Sequence, residues 1–270
     1  MEVVLGTVNS NLEQLATNPS FAAQWVSANV VPYHPALKLR YVSAGNEVIP
    51  GPLAQHVLGA TENLDNALKS SGIDNVCVST ATSFVSIGES FPPSAGEFAD
   101  ESKPFMAPII EFLAENDYPL LVNVYPYFAY KSNPDRIDLD YALGNPGRIF
   151  VADGRLRYRS LFDAMVDAMY AAAEKVHVGK VRMVVTETGW PSAGDRVATM
   201  KNAKAYVNNA AARAGGSDAG TPRRPGIETE TYLFALFNED LKPEGEERNF
   251  GMFWPDFTEV YHVDFPQYFN

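Results

Sequence analysis

VRMVVTETGWPS, residues 181–192, has the composition of a buried β-strand and yet carries a glutamate close to its carboxyl end. Val and Thr dominate the run, and the Gly-Trp-Pro after Thr188 ends it. An unpaired charge is costly to bury, so Glu187 needs either a partner or a chemical role. The stretch therefore predicts a strand of a parallel sheet with a candidate functional group where the strand ends.

Five further apolar, β-branched runs recur along the chain, and helical stretches separate them. Each run is continuous rather than alternating, which is typical of strands buried on both faces of a parallel sheet. The runs are residues 1–7, 37–48, 75–83, 119–127 and 231–240. Alternating strands and helices without a GxGxxG turn indicate either a (β/α)₈ barrel or an open doubly wound sheet.

Polar residues gather at the carboxyl ends of these runs, which favours the barrel because its catalytic face is built from successive strand ends. They are Asn46 and Glu47, Ser79 to Ser83, Tyr125 and Tyr127, Glu187 and Trp190, and Asn238 and Glu239. The Gly-rich, basic stretch GGSDAGTPRRPG (215–226) is interpreted as a surface loop rather than a boundary or a nucleic-acid patch. We therefore predict a single domain over residues 1–270.

Charge and residue usage exclude several classes of function. With 21 basic and 33 acidic residues the net charge is −12, which disfavours nucleic acid and anionic membranes as partners. No apolar run reaches the roughly 18 to 20 residues of a membrane span. Cys77 is the single cysteine, and the four histidines show neither HExxH nor paired spacing, so we expect no metal and no cofactor.

Glu47 and Glu187 form the candidate catalytic pair. They close strands three βα units apart, which in an eight-fold barrel places them about 135° apart around the axis, facing each other across a narrow mouth. Two facing carboxyl groups can take different catalytic roles, one as a proton donor and one as a nucleophile, as in glycosidases. The alternative is structural: Glu47 as an exposed loop acid and Glu187 as part of an ion pair.

Aromatic residues near the same strand ends could hold a sugar, because the apolar C–H faces of sugars lie on aromatic rings. The candidates are Tyr125, Tyr127, Phe128, Trp190 and Phe250. Each ring could instead belong to the core. Trp190 either supports the turn after Glu187 or touches a ligand.

An ordered set of motifs resembles the plant glucan endo-1,3-β-glucosidases of glycoside hydrolase family 17. The motifs are RYVSAGNEV, FPPSAGEF, NVYPYFAY, YRSLFDAMVDAMYAA, VVTETGWPS, GTPRRPG and FALFNEDLKPEGEERNFGMF. The resemblance covers essentially all 270 residues. It implies a (β/α)₈ TIM-type barrel that hydrolyses β-1,3-glucans such as callose or laminarin with retention and without a metal or cofactor, and we expect a monomer.

The resemblance also implies roles for single residues. Glu47 matches the general acid/base and Glu187 the nucleophile, and retention implies a carboxyl separation of roughly 5 to 5.5 Å. Asn46 matches a residue that contacts the sugar near its 2-hydroxyl, and Tyr125 matches a residue lining the cleft. A polar cluster at the last strand is implied for Glu239, Lys242 and Glu247. Phe250 stands where many members have Trp.

The chain departs from the family pattern at its start. Its first strand resembles the third strand of family members, so we expect six of the eight βα units. This leaves open a non-catalytic or inert partial barrel that at most binds β-glucan, and separately a mixed-linkage β-1,3-1,4-glucan as substrate. Relatives are secreted to the cell wall, whereas this N-terminus has no export signal, so a chain translated as written is expected inside the cell.

Overall fold

The computed structural model describes residues 2–177, 180–214 and 219–265. Its α-helices are α1 Leu12–Thr17, α2 Pro19–Asn29, α3 Ala54–Ser70, α4 Lys103–Glu115, α5 Pro126–Ser132, α6 Leu139–Leu143, α7 Leu161–Val176 and α8 Met200–Ala214. Its strands are β1 Glu2–Gly6, β2 Lys38–Asn46, β3 Cys77–Ser83, β4 Ile87–Glu89, β5 Glu97–Phe98, β6 Leu120–Asn123, β7 Val151–Asp153, β8 Leu156–Tyr158, β9 Met183–Thr188, β10 Gly220–Thr221, β11 Arg224–Pro225 and β12 Thr231–Leu233.

Within the described ranges, one sheet holds six strands in the order β1-β2-β3-β6-β9-β12, which is also their order in the chain. The pairs β1–β2, β2–β3, β3–β6 and β9–β12 are parallel. The remaining short strands pair as the antiparallel hairpins β4–β5, β7–β8 and β10–β11. All six predicted strand runs therefore contain a strand of this sheet.

The described chain packs into two compact units. The first comprises Met1–Ser90, Ala95–Asn123 and Met169–Val184, and the second comprises Phe91–Ser94, Val124–Ala168 and Val185–Asn270. In the first unit, Val42, Val78 and Leu121 of the sheet are fully buried together with apolar side chains of α3 and α4. In the second unit, buried aromatic rings dominate one core cluster, which includes Trp190 and Tyr206.

Helix α3 shows how local sequence sets an element. Val57, Leu64 and Leu68 recur at helical spacing and are fully buried. The helix ends because Gly72 adopts a left-handed φ of +73°, and the Ile73 amide then donates to the Leu68 carbonyl. Gly72 therefore forms a C-terminal glycine cap.

Two segments differ from the sequence-based expectation. The helical stretch between the first two strand runs is not one continuous helix, because it breaks at Asn18, whose side chain accepts the amides of Ser20 and Phe21 and so begins α2. The run 231–240 pairs with β9 from Thr231 only as far as Phe234, whose amide donates to the Thr188 carbonyl. Ala235 then exchanges backbone hydrogen bonds with the 250–252 segment, which ends the strand.

No helix among the described residues combines the length and the apolar character needed to cross a membrane.

Candidate active site

Glu47 leaves strand β2 through a tight left-handed turn. Gly45 has φ +76°, and a Cβ there would lie 2.8 Å from Val48 Cγ2 and 2.9 Å from Leu12 Cδ1, so only glycine fits. Glu47 itself has φ +55°, a conformation that costs a non-glycine residue about 1–3 kcal/mol. Its amide donates to the Ala81 carbonyl at 2.8 Å, and its side chain is exposed. The turn therefore carries the carboxylate out of the sheet.

Asn9 clamps the residue that precedes Glu47. Its Oδ1 accepts the Asn46 amide at 2.9 Å, and its Nδ2 donates to the Asn46 carbonyl at 2.9 Å. Next to it, Thr7 Oγ1 accepts the Gly45 amide at 2.9 Å. Both ends of one carboxamide thus fix the backbone of the turn. Sequence reasoning missed Asn9, because only the pairing of β1 with β2 brings it to this place.

Asn123, the last residue of β6, orients the side chains of the same turn. Its Nδ2 donates to Glu47 Oε1 at 2.8 Å and lies 3.0 Å from Asn46 Oδ1. Asn123 is 1% exposed, so the donor is held by the core. The signal that could have found it is a lone amide inside the apolar run PLLVNV.

Glu187 lies next to the last residue of β9, near the strand end as the sequence predicted, and it is half-buried. Tyr125 donates from its hydroxyl to Glu187 Oε2 at 2.8 Å. The Val124 amide donates to the Glu187 carbonyl at 2.9 Å, which places Tyr125 beside this carboxylate. A phenol is an uncharged donor, so the hydrogen bond orients the carboxylate without forming an ion pair.

Two of the predicted aromatic residues present accessible ring surface. The rings of Tyr125 and Phe128 have centroids 5.5 Å apart. Phe128 is 37% exposed and Tyr125 is half-buried. These two rings form the aromatic surface next to Glu187.

The other three predicted sugar platforms are buried. Tyr127 and Trp190 are 0% exposed and Phe250 is 2% exposed. Trp190 Nε1 donates to the Val197 carbonyl at 2.9 Å, which satisfies its polar atom inside the core. A ring without accessible surface cannot meet a sugar face, so this burial favours the core alternative for Tyr127, Trp190 and Phe250, and their contact with substrate stays a prediction. Their edge contacts with one another and with Tyr125 support the strand end instead.

The predicted polar cluster is assembled after β12. Lys242 Nζ lies 2.7 Å from Glu239 Oε2 and 3.7 Å from Glu247 Oε2. The same ammonium lies 5.1 Å from the centroid of the Phe234 ring. One cation thus lies beside two carboxylates, and all three side chains are partly exposed.

Comparison with known proteins identifies the family. The model of glycosyl hydrolases family 17 matches residues 1–265 of this chain. The chain belongs to glycosyl hydrolase family 17. A grapevine (Vitis vinifera) family relative, glucan endo-1,3-beta-glucosidase, is 45% identical over 98% of this chain and 78% of its own length. Lichenase-2 of barley (Hordeum vulgare) is 42% identical over 98% of the chain and 83% of its own length.

A solved structure confirms the fold class of this family 17 chain. A chain from a study of two plant β-glucan endohydrolases with distinct substrate specificities matches with a TM-score of 0.93 and 40% identity. The match covers 98% of this chain and 84% of the solved one. The predicted TIM-barrel type with six visible βα units is therefore confirmed, as is the prediction of a glycoside hydrolase.

Each candidate glutamate of this family 17 chain accepts a hydrogen bond from a neutral donor within its own unit. Glu47 receives an amide hydrogen bond and Glu187 a phenol hydrogen bond. Such donors fix direction and leave each carboxylate able to exchange a proton or attack carbon. In the part of the chain that the structure describes, no three His, Cys, Asp or Glu side chains are grouped to hold a metal ion.

Proposed function

We propose that this chain hydrolyses internal linkages of β-1,3-glucan with retention of the anomeric configuration. Support comes from the family match over residues 1–265 and from the name of the grapevine relative, which describes a glucan endo-1,3-beta-glucosidase. The substrate is a neutral polysaccharide, in keeping with the net charge of −12 on the chain.

The proposed mechanism is a double displacement. Glu47 donates a proton to the glycosidic oxygen while a carboxylate oxygen of Glu187 attacks the anomeric carbon from the opposite face. The C–O bond to the leaving sugar breaks, and an α-linked glycosyl ester of Glu187 forms. Glu47, now a carboxylate, removes a proton from water, whose oxygen displaces Glu187 and restores the β configuration.

The observation that carries the proposal is the placement of both glutamates at the ends of parallel strands, each with its carboxylate accepting a 2.8 Å hydrogen bond from a neutral donor. An exposed loop acid without a role has no need for a buried amide such as Asn123 beside it. Strand-end carboxylates with dedicated donors are instead typical of catalytic faces in (β/α)₈ enzymes.

Release of reducing sugar from laminarin tests the proposal. We expect the unmodified chain to release sugar, and Glu47→Gln and Glu187→Ala each to lower kcat at least roughly 100-fold. Glu62→Gln, which changes an exposed glutamate on α3, is the matched control and should retain full activity. Binding of laminarin without release of sugar by the unmodified chain would favour the non-catalytic reading. Unchanged rates in either site variant would remove that residue from the mechanism.

A mixed-linkage β-1,3-1,4-glucan is the second candidate substrate. It is favoured by the 42% identity to a barley lichenase and by the distinct specificities named for the matched plant endohydrolases. Comparing kcat/KM for barley β-glucan with that for laminarin decides between the two. We expect laminarin to be the better substrate, and a higher kcat/KM on barley β-glucan would replace β-1,3-glucan with the mixed-linkage polymer.

A further inference from the structure

A cavity of about 620 Å³ lies in the second unit and contains none of the predicted site residues. Its walls are the β7–β8 hairpin, the start of α7, the α8 helix and the β10–β11 hairpin. The last of these walls is the GTPRRPG stretch, which the hydrolytic reaction does not use. The cavity is therefore a separate feature.

Three arginines of the segment RLRYRS (155–160) line the cavity. Arg157 lies in β8, Arg155 in the turn that precedes this strand, and Arg159 directly after it. All three are exposed. Tyr158, between them in the chain, is fully buried and donates to Asp167.

A fourth arginine of the lining, Arg213 on α8, is held in a fixed position. Arg213 donates to the Gly220 carbonyl at 2.7 Å, forms an ion pair with Asp163, and has its guanidinium carbon 5.3 Å from the centroid of the Phe162 ring. On β8, Arg157 donates to the Gly154 and Leu156 carbonyls at 2.7 and 2.8 Å. Guanidinium groups that are already ordered lose less entropy when they bind an anion.

The charge of the cavity is opposite to that of the chain. Four arginines and one acid, Asp163, are the ionic residues of its lining, and Arg213 pairs with that acid. Three guanidinium charges therefore remain in a protein of net charge −12. Arginine is the side chain whose planar fork matches carboxylate and phosphate oxygens.

The rest of the lining is suited to the body of a small sugar. Leu143, Leu156, Phe162, Pro222 and Pro225 supply apolar surface, and Asn209 and Ser160 supply polar groups. Pockets of roughly 300 to 1,000 Å³ hold small-molecule ligands. The volume thus admits a mono- or disaccharide but not a folded macromolecule.

We propose that this cavity binds a small anionic carbohydrate, a mono- or disaccharide that carries a carboxylate or a phosphate. The arginines of β8 and α8 take the anionic group, and the leucine and proline side chains pack on the sugar ring. The site is independent of the proposed hydrolytic reaction, because neither glutamate lines it.

Titration calorimetry of the full chain tests the proposal with four probes: digalacturonate, glucose 6-phosphate, inorganic phosphate and laminaribiose. We expect one of the two charged sugars to bind more tightly than inorganic phosphate, and its binding to weaken as salt rises. The two charged sugars distinguish a carboxylate site from a phosphate site. Equal binding of inorganic phosphate, equal binding of neutral laminaribiose outside the hydrolytic site, or no binding of either charged sugar would overturn it.

Arginine variants test whether the charged sugar binds in this cavity. Exposed Arg155 and Arg159 can be changed together to Gln without removing a described core contact, and we expect this double variant to bind the charged sugar at least tenfold more weakly. Arg196→Gln, which removes an exposed arginine outside the cavity lining, is the control for loss of charge and should bind as the unmodified chain does. Laminarin hydrolysis should change less than twofold in both the double variant and the Arg196→Gln control. Unweakened binding in the double variant would contradict the assignment.

Discussion

Asn123 Nδ2 lies 2.8 Å from Glu47 Oε1, so a buried amide at the end of one strand sets the direction of a carboxylate that follows another. The same nitrogen lies 3.0 Å from Asn46 Oδ1. Because Asn123 is 1% exposed, water does not compete for this donor in the folded protein. The Glu47 carboxylate is therefore oriented before any substrate arrives.

Removal of this amide should impair catalysis more than substrate binding. We expect Asn123→Ala to lower kcat roughly 10- to 100-fold, which corresponds to the 1.5–3 kcal/mol of a hydrogen bond to a charged group, with KM within about threefold. Steady-state kinetics on laminarin measure both constants. A raised KM with an unchanged kcat would show that Asn123 acts on the substrate and not on Glu47.

The clamp by Asn9 predicts a graded series of variants. Asn9→Asp keeps an acceptor for the Asn46 amide and loses the donor to its carbonyl, whereas Asn9→Ala loses both. We expect kcat to fall in the order unmodified, Asp, Ala, because Glu47 then has less support for its left-handed φ of +55°. Steady-state kinetics on laminarin measure the series.

Asn63→Ala is the matched control for Asn9. Its amide bridges the carbonyls of Leu15 and Ala16 away from the turn. We expect this control to lower the thermal midpoint by an amount similar to that of Asn9→Ala and to leave kcat unchanged. Equal losses of kcat in Asn9→Ala and Asn63→Ala would reduce Asn9 to a general stabilising role.

Tyr125→Phe isolates the hydrogen bond to the second carboxylate. The ring and its contact with Phe128 remain, and only the donor to Glu187 Oε2 is lost. We expect kcat to fall roughly 10- to 100-fold. Tyr118→Phe removes an equal 2.8 Å hydrogen bond, to Asp65, and should leave kcat unchanged. Similar kinetics for the two variants would mean that Tyr125 supports the fold alone.

Azide rescue distinguishes the two glutamates with an activated aryl β-laminarioside as substrate. In Glu187→Ala, azide takes the place of the lost carboxylate and attacks from the α face, so we expect the α-glycosyl azide. In Glu47→Ala, the ester of Glu187 still forms because the activated aryl group leaves without a proton from Glu47. Azide then attacks the ester from the β face and gives the β-glycosyl azide. Proton NMR identifies the anomers. The same anomer from both variants would contradict the assigned roles, and Glu62→Ala should give no azide product.

The sequence predicted the strands and the acids at their ends because β-branched runs and a misplaced charge are local signals. It did not predict Asn9 or Asn123, because their hydrogen bonds span 37 and 76 residues and depend on strand register. The sequence also did not predict which aromatic side chains are buried. Trp190 and Phe128 are both aromatic residues near a strand end, and only tertiary packing leaves one at 0% and the other at 37% exposed. The predicted separation of Glu47 and Glu187 stays a prediction.

Asp163 should make stability depend on pH in a direction unusual for an acid. Burial raises the pKa of its carboxyl to about 6, although Arg213 beside it favours the charged form. The folded state then binds the proton more tightly than the unfolded state, so the contribution of Asp163 to the free energy of unfolding falls as pH rises from about 4 to 6. Two pKa units correspond to at most about 3 kcal/mol.

Urea unfolding of the unmodified chain and Asp163→Asn at pH 4.5, 5.5, 7 and 8 measures this effect. The variant cannot titrate, so the free energy of unfolding of the unmodified chain minus that of the variant should fall between pH 4.5 and 7 and stay level above pH 7. Asp256→Asn should give a level difference over these four pH values, because hydrogen bonds from Thr258 lower the pKa of Asp256 from its ordinary value. Its stabilising contribution should be lost only as pH drops below about 4. A difference for Asp163 that rises with pH would show that Arg213, and not burial, controls this carboxyl.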